Sequence, residues 1–148
     1  MTINASELGR ITGHPKSRLA RWLQEGLVDA EGGGHQGVAW QLSFRDCKEL
    51  LIIDELYIDG ARMRTFQSAT GHLQNALDDM QDRKDKVGNP QWLFVDKHNR
   101  RTRHMVLWGE GSNVKRQLEG YGYLVDMNRI RNDLKKLKAD SRGFNSCD

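Results

Sequence analysis

At 148 residues, with 23 Lys and Arg against 20 Asp and Glu, the chain carries a formal charge of +3 and is 37% hydrophobic; its pI is near 9.0 and its mean hydropathy −0.73. That length suits one domain, or a reader with a small second unit, and the absence of any apolar run of about eighteen residues excludes a membrane-spanning helix. The mild positive charge permits nucleic acid as a partner without demonstrating it, and two cysteines, Cys47 and Cys147, are too few for a disulfide framework.

No charged and then apolar leader pattern opens the sequence, so the expectation is a protein of a bacterial or phage cytoplasm. Asn4 can cap free backbone N–H groups, and Glu7 three residues on completes a capping-box pattern for a first helix carrying Leu8 and Ile11 on one face. Gly13 supplies the stop. Pro15 suits the first turn of a second helix, in which Leu19, Trp22 and Leu23 form an apolar face. Lys16, Ser17, Arg18 and Arg21 are then expected to point outward. Gly9 is small enough for the two helices to cross closely, which a bulky residue there would prevent.

Val28–Ala30 and Val38–Leu42 read as short extended pieces around the Gly-rich run from Glu31 to Gly37, a hairpin directly after the helix pair. Ser43 with Asp46 makes a second capping box. It opens a long helix through Phe44, Cys47, Leu50, Leu51, Ile53, Leu56 and Tyr57 to a Gly60 stop. Cys47 on that apolar face reads as a small core residue.

The run from Leu8 to Gly13, the thirteen-residue step from Gly13 to Gly26-Leu27, the hairpin and the capped helix ending at Gly60 together resemble the DNA-binding domain of MerR-type regulators and the related excisionase-like winged helices. The resemblance covers roughly the first half of the chain, to about Leu77. It implies a homodimer on a palindromic or near-palindromic DNA duplex, with the second helix in the major groove and the hairpin on flanking backbone. Lys16, Ser17, Arg18 and Arg21 would face the groove. Two positions depart from the family: an Arg common early in the second helix is Ala20, and the Tyr-Arg pair of the wing is replaced by Val38-Ala39-Trp40-Gln41. His35, Gln36 and Gln41 are left as the polar groups of the wing. No Cys-rich metal loop or large ligand domain of the family's sensor half is recognisable.

Past Gly60, Met63, Phe66, Thr70, Leu73, Leu77 and Met80 step by threes and fours, a heptad stripe that either packs on the chain's own first half or forms a dimer seam. Residues 81–90, charged or turn-forming, mark a linker. Beyond it, residues 91–95 and 104–108 are β-prone runs around a basic tip containing Lys97, Arg100, Arg101 and Arg103, which are candidates for phosphate contact. A short helix from Ser112 and a third strand over 121–125 follow, completing a small sheet. Asp126 caps a last helix whose Met127, Ile130, Leu134 and Leu137 share a face, expected to cover the sheet or to pair across a two-fold axis. The tail at 141–148 reads as loose.

The expected fold class is therefore α+β, mostly α: a winged helix-turn-helix with a long helix, over residues 1–80, a linker at 81–90, and a small C-terminal unit of hairpin, sheet and terminal helix at 91–140. His14, His35, His72, His98 and His104 show no metal-ligand spacing, and no nucleophile–base pattern or phosphate loop is visible. No catalysis, metal, cofactor or small-molecule ligand is expected. The leading functional reading is a sequence-specific, dimeric transcription regulator, most simply a repressor. Two alternatives stand beside it: an excisionase-like architectural factor and a protein-interaction module. DNA contact is expected at Lys16, Ser17, Arg18, Arg21, His35, Gln36, Arg100 and Arg101, and dimer contact at Met63, Phe66, Leu73, Leu77, Ile130, Leu134 and Leu137.

Overall fold

The structure is a computed structural model in which residues 2–33, 38–61, 77–78, 90–96, 104–107, 112–118 and 120–140 are described. They are α+β and mostly helical, with two small antiparallel sheets. In chain order the elements are α1 (Ala5–Thr12), α2 (Lys16–Gln24), β1 (Glu31–Gly32), β2 (Trp40–Gln41), α3 (Phe44–Ile58), β3 (Trp92–Asp96), β4 (His104–Leu107), α4 (Ser112–Leu118), β5 (Gly122–Asp126) and α5 (Met127–Asp140).

The chain divides into two compact units, Met1–Asp54 with Arg129–Asp148, and Glu55–Asn128. This differs from the boundary expected at residues 81–90. The last helix falls mainly with the N-terminal elements, because its apolar residues Ile130, Leu134 and Leu137 are buried and Asp133 pairs with His14.

In the first unit, α1 begins where Asn4 Oδ1 accepts the Glu7 N–H at 2.8 Å and ends where Gly13, at φ 83°, donates its N–H to the Gly9 carbonyl. Only a residue without Cβ holds that left-handed conformation at no steric cost. Pro15 occupies the cap of α2, one position before the helix proper, and its carbonyl accepts from Arg18 and Leu19. A Cβ on Gly9 would lie 2.7 Å from the His14 carbonyl oxygen, so glycine is required where α1 meets the turn. The far end of α2 closes with paired bonds, Leu27 N–H to Trp22 and Gly26 N–H to Leu23.

Glu31 pairs with Gln41 and Gly32 with Trp40, and Ile3 exchanges two backbone bonds with Leu42 beside them. The first strand thus lies inside the Gly-rich run rather than at Val28–Ala30. Val28 is instead spent on the core, at 2% exposure. Ser43 and Asp46 bond reciprocally, hydroxyl to N–H and carboxylate to N–H, and start α3. Leu8, Leu19, Trp22, Leu23, Leu42, Leu50, Leu51 and Ile52 are buried with the α5 face. Each such side chain contributes about 1.5–3 kcal/mol by leaving water.

In the second unit, the sheet has the order β4-β3-β5, antiparallel throughout, with Phe94 opposite both Met105 and Leu124. Leu93, Val95 and Val125 are buried. Asp59 accepts the Leu124 N–H through its side chain, and Asp126 Oδ1 accepts from Asn128 N–H where α5 begins. The strands and the capping Asp126 fall within a residue of their expected places. No helix among the described residues is long and apolar enough to cross a membrane.

Candidate nucleic-acid interface

The second helix has two faces of opposite character. Leu19, Trp22 and Leu23 are buried, whereas Lys16, Ser17 and Arg21 are exposed. The Arg21 guanidinium lies 5.4 Å from the centroid of the Trp22 ring, a position that stiffens the side chain while leaving it at the surface. The hairpin follows after the turn at Gly26, and Val38 on it is half exposed.

Arg18 departs from the outward orientation expected of it. Its Nε and Nη2 each donate to Asp54 at 2.9 Å, a bidentate pair with a carboxylate that is fully buried. Arg18 stands at the border of the apolar face, so the buried charge on α3 draws the guanidinium inward. Trp22 Nε1 donates to the same carboxylate at 3.0 Å. His14, in the turn, places Nδ1 at 2.6 Å from Asp54 and Nε2 at 3.3 Å from Asp133 on α5.

Two carboxylates, one guanidinium and one imidazole therefore share a single cluster. Burial works against a charged imidazole at His14, yet the hydrogen bonds to Asp133 and Asp54 and the two negative charges outweigh it and lift its pKa to about 9. Burial likewise opposes ionisation of Asp54, but bonds from His14, Arg18 and Trp22 and the Arg18 charge bring it down to about 2. Near neutral pH both ring nitrogens of His14 donate and the four charges cancel. This satisfies the buried Asp54, which unpaired would be costly. Burial, followed by the Asp46 charge, pushes the Cys47 thiol up to about 12, which makes it inert.

The remaining expected contact residues divide by position. Lys16, Ser17 and Arg21 are exposed on α2, Ser17 and Arg21 one turn apart on the face opposite Leu19, Trp22 and Leu23, and Lys16 in the first turn. His35, Gln36, Arg100 and Arg101 lie outside the described residues, as do Met63, Phe66 and Leu73. Leu77 is buried, and Ile130, Leu134 and Leu137 are covered within a single chain, at 0%, 7% and 0% exposure, so this face of α5 is not available as a dimer seam.

Asp54 and Asp133 escaped the sequence reading. Asp54 carries a usable signal: it falls on the series Cys47, Leu50, Leu51, Asp54, which places a carboxylate on the apolar face of α3 and demands a buried donor. Among the described residues no group of His, Cys, Asp and Glu is arranged to hold a metal ion. The chain matches no protein-family model, and no curated protein matches its sequence.

Proposed function

We propose that the protein is a sequence-specific, double-stranded DNA-binding transcription regulator. In this reading α1 and α2 act as a helix-turn-helix, β1 and β2 as its wing, and two copies bind an inverted repeat. The observation that carries the reading is the outer face of α2. Ser17 and Arg21, one turn apart, and Lys16 in the first turn stand exposed on a helix of nine residues whose inner face is fixed by Leu19, Trp22 and Leu23. A helix held in that way can enter the major groove, where Arg and Lys recognise guanine O6 and N7 or phosphate.

Arg18 has a different role. Its pair with Asp54 sets the rotation of α2 about its own axis, and so determines which side chains face outward. Lys16 and Arg21 would make the contacts to DNA. Occupancy of a site overlapping a promoter is enough for repression and needs no sensor domain.

The test is selection from a random duplex pool with purified protein, repeated with Lys16→Ala and Arg21→Ala. The reading predicts an enriched inverted repeat that is lost in the double variant, with roughly 1–3 kcal/mol of discrimination for each base-reading contact. Failure of the protein to retain any duplex would overturn it.

A further inference from the structure

Gln24, the last residue of α2, has no part in the reading above, yet it stands on the same row as Ser17 and Arg21. At about 100° per residue, with Ser17 taken as zero, Arg21 lies near 40° and Gln24 near −20°, so the row spans an arc of only about 60°. All three residues are exposed. The buried Leu19, Trp22 and Leu23 centre on the far side of the helix, at about 190° on the same scale. Lys16 falls outside the row beside Leu23, and the exposed Glu25 falls outside it on the Arg18 flank.

The end of a helix ordinarily frays. Here the backbone on either side of Gln24 is tied down: Glu25 N–H donates to the Arg21 carbonyl at 2.9 Å, and Gly26 N–H and Leu27 N–H donate to the Leu23 and Trp22 carbonyls, both at 3.1 Å. Leu23 and Leu27 are buried. Asp54, which accepts from both Arg18 and Trp22, fixes the rotation of the helix and with it the direction of the row. Among the described residues nothing engages the Gln24 side chain in a hydrogen bond or ion pair, so its carbonyl oxygen and its NH2 group are both open at the surface. A row that only gripped phosphate would be built from Lys and Arg. This one presents a hydroxyl, a single guanidinium and a neutral amide.

We propose that Gln24 is a specificity-determining residue of the DNA reading given above, on which its role rests: the amide accepts from N6 and donates to N7 of an adenine in the base pair beside the guanine contacted by Arg21. A planar amide offers one acceptor and one donor side by side, which is the complement of the adenine edge in the major groove. Arg21 and Gln24 are three residues apart, about 4.5 Å along the helix axis. That is close to the rise of about 3.4 Å between successive bases on a strand, so neighbours on the row reach neighbouring base pairs.

The experiment repeats the random-duplex selection with Gln24→Ala and Gln24→Glu beside the wild-type chain and Arg21→Ala, with a thermal melt of each variant. The wild-type motif is expected to carry an adenine next to the guanine that depends on Arg21. Gln24→Ala should keep the guanine, keep the melting temperature, and lose discrimination at the adenine alone, by roughly 5- to 150-fold for one bidentate contact. Gln24→Glu should turn the preference there to cytosine, whose N4 amine donates to a carboxylate. An unchanged motif in Gln24→Ala, or equal weakening on every duplex, overturns the role of Gln24; loss of the guanine in Arg21→Ala then leaves the reading of α2 standing. Melting temperatures lowered alike in both Gln24 variants overturn it too, since Gln24 would then serve the fold. If the wild-type chain enriches no motif, both readings fall together.

Discussion

His14 Nε2 and Asp133 Oδ2 lie 3.3 Å apart across 119 positions of sequence, and this pair fastens the last helix to the turn between the first two. The helix pair is consequently not a self-contained folding unit. It shares a compact unit with α5, whose Ile130 and Leu137 are fully buried.

A fragment ending at residue 80, the boundary the sequence suggests for an independent reader, should therefore unfold at lower temperature and with less cooperativity than the full chain. Losing α5 removes three buried aliphatic side chains, each contributing about 1.5–3 kcal/mol. Thermal melts followed by circular dichroism compare the two directly, and equal melting temperatures would show that α5 is dispensable.

The charge cluster predicts an alkaline loss of stability. His14 is raised from 6.5 to about 9, so its contribution is complete below pH 6.5 and disappears as the pH rises through about 9. Asp54 is lowered from 3.8 to about 2, so its contribution is complete above pH 3.8 and disappears on acidification through about 2. Urea denaturation across pH should show a plateau between about pH 4 and 6.5, then a fall of roughly 3 kcal/mol by pH 10. In His14→Gln the alkaline fall should be absent.

Asp54→Asn keeps the shape of the side chain and removes the charge that balances Arg18 and His14. Breaking a buried pair in this way costs about 3–5 kcal/mol. Arg18→Ala should also destabilise, whereas Arg21→Ala, on the exposed face, should change stability by less than about 0.5 kcal/mol. Denaturant midpoints for the three variants give the order. If Arg18→Ala and Arg21→Ala were equally mild, the Arg18–Asp54 pair would not hold α2 in place.

At Gly9 the neighbour is backbone, the His14 carbonyl, and it cannot move away without shifting the turn. Gly9→Ala should cost about 1–3 kcal/mol as overpacking, even though alanine favours helix elsewhere. A stabilised Gly9→Ala variant would mean that the two helices tolerate a wider separation.

What could be read from the sequence was what one helical turn decides. The Asn4 cap, the Gly13 stop, the Ser43–Asp46 box and the Asp126 cap all join residues within three or four positions of one another, and each stands where expected. The sheet followed because 91–95 and 104–108 are short runs rich in aromatic and aliphatic residues that favour strands, with 121–125 a third such run beside them. Arg18 was misread for a related reason. Helical spacing puts it at the border of the apolar face, and a border residue turns according to what lies beneath it. What lies beneath is Asp54, 36 positions away, and no local pattern connects the two. The place of α5 was hidden for the same cause, since a helix with one apolar face fits against any apolar partner.

The central claim is that Arg21 on the outer face of α2 reads a guanine in the major groove. The most direct measurement is dimethyl sulfate protection of guanine N7 on a duplex recovered by selection, with wild-type protein and with Arg21→Ala at concentrations that saturate the duplex. The account predicts one protected guanine in each half-site, exposed again in the variant although the duplex remains bound. A saturated complex with no protected guanine, or the same protection without Arg21, would contradict it.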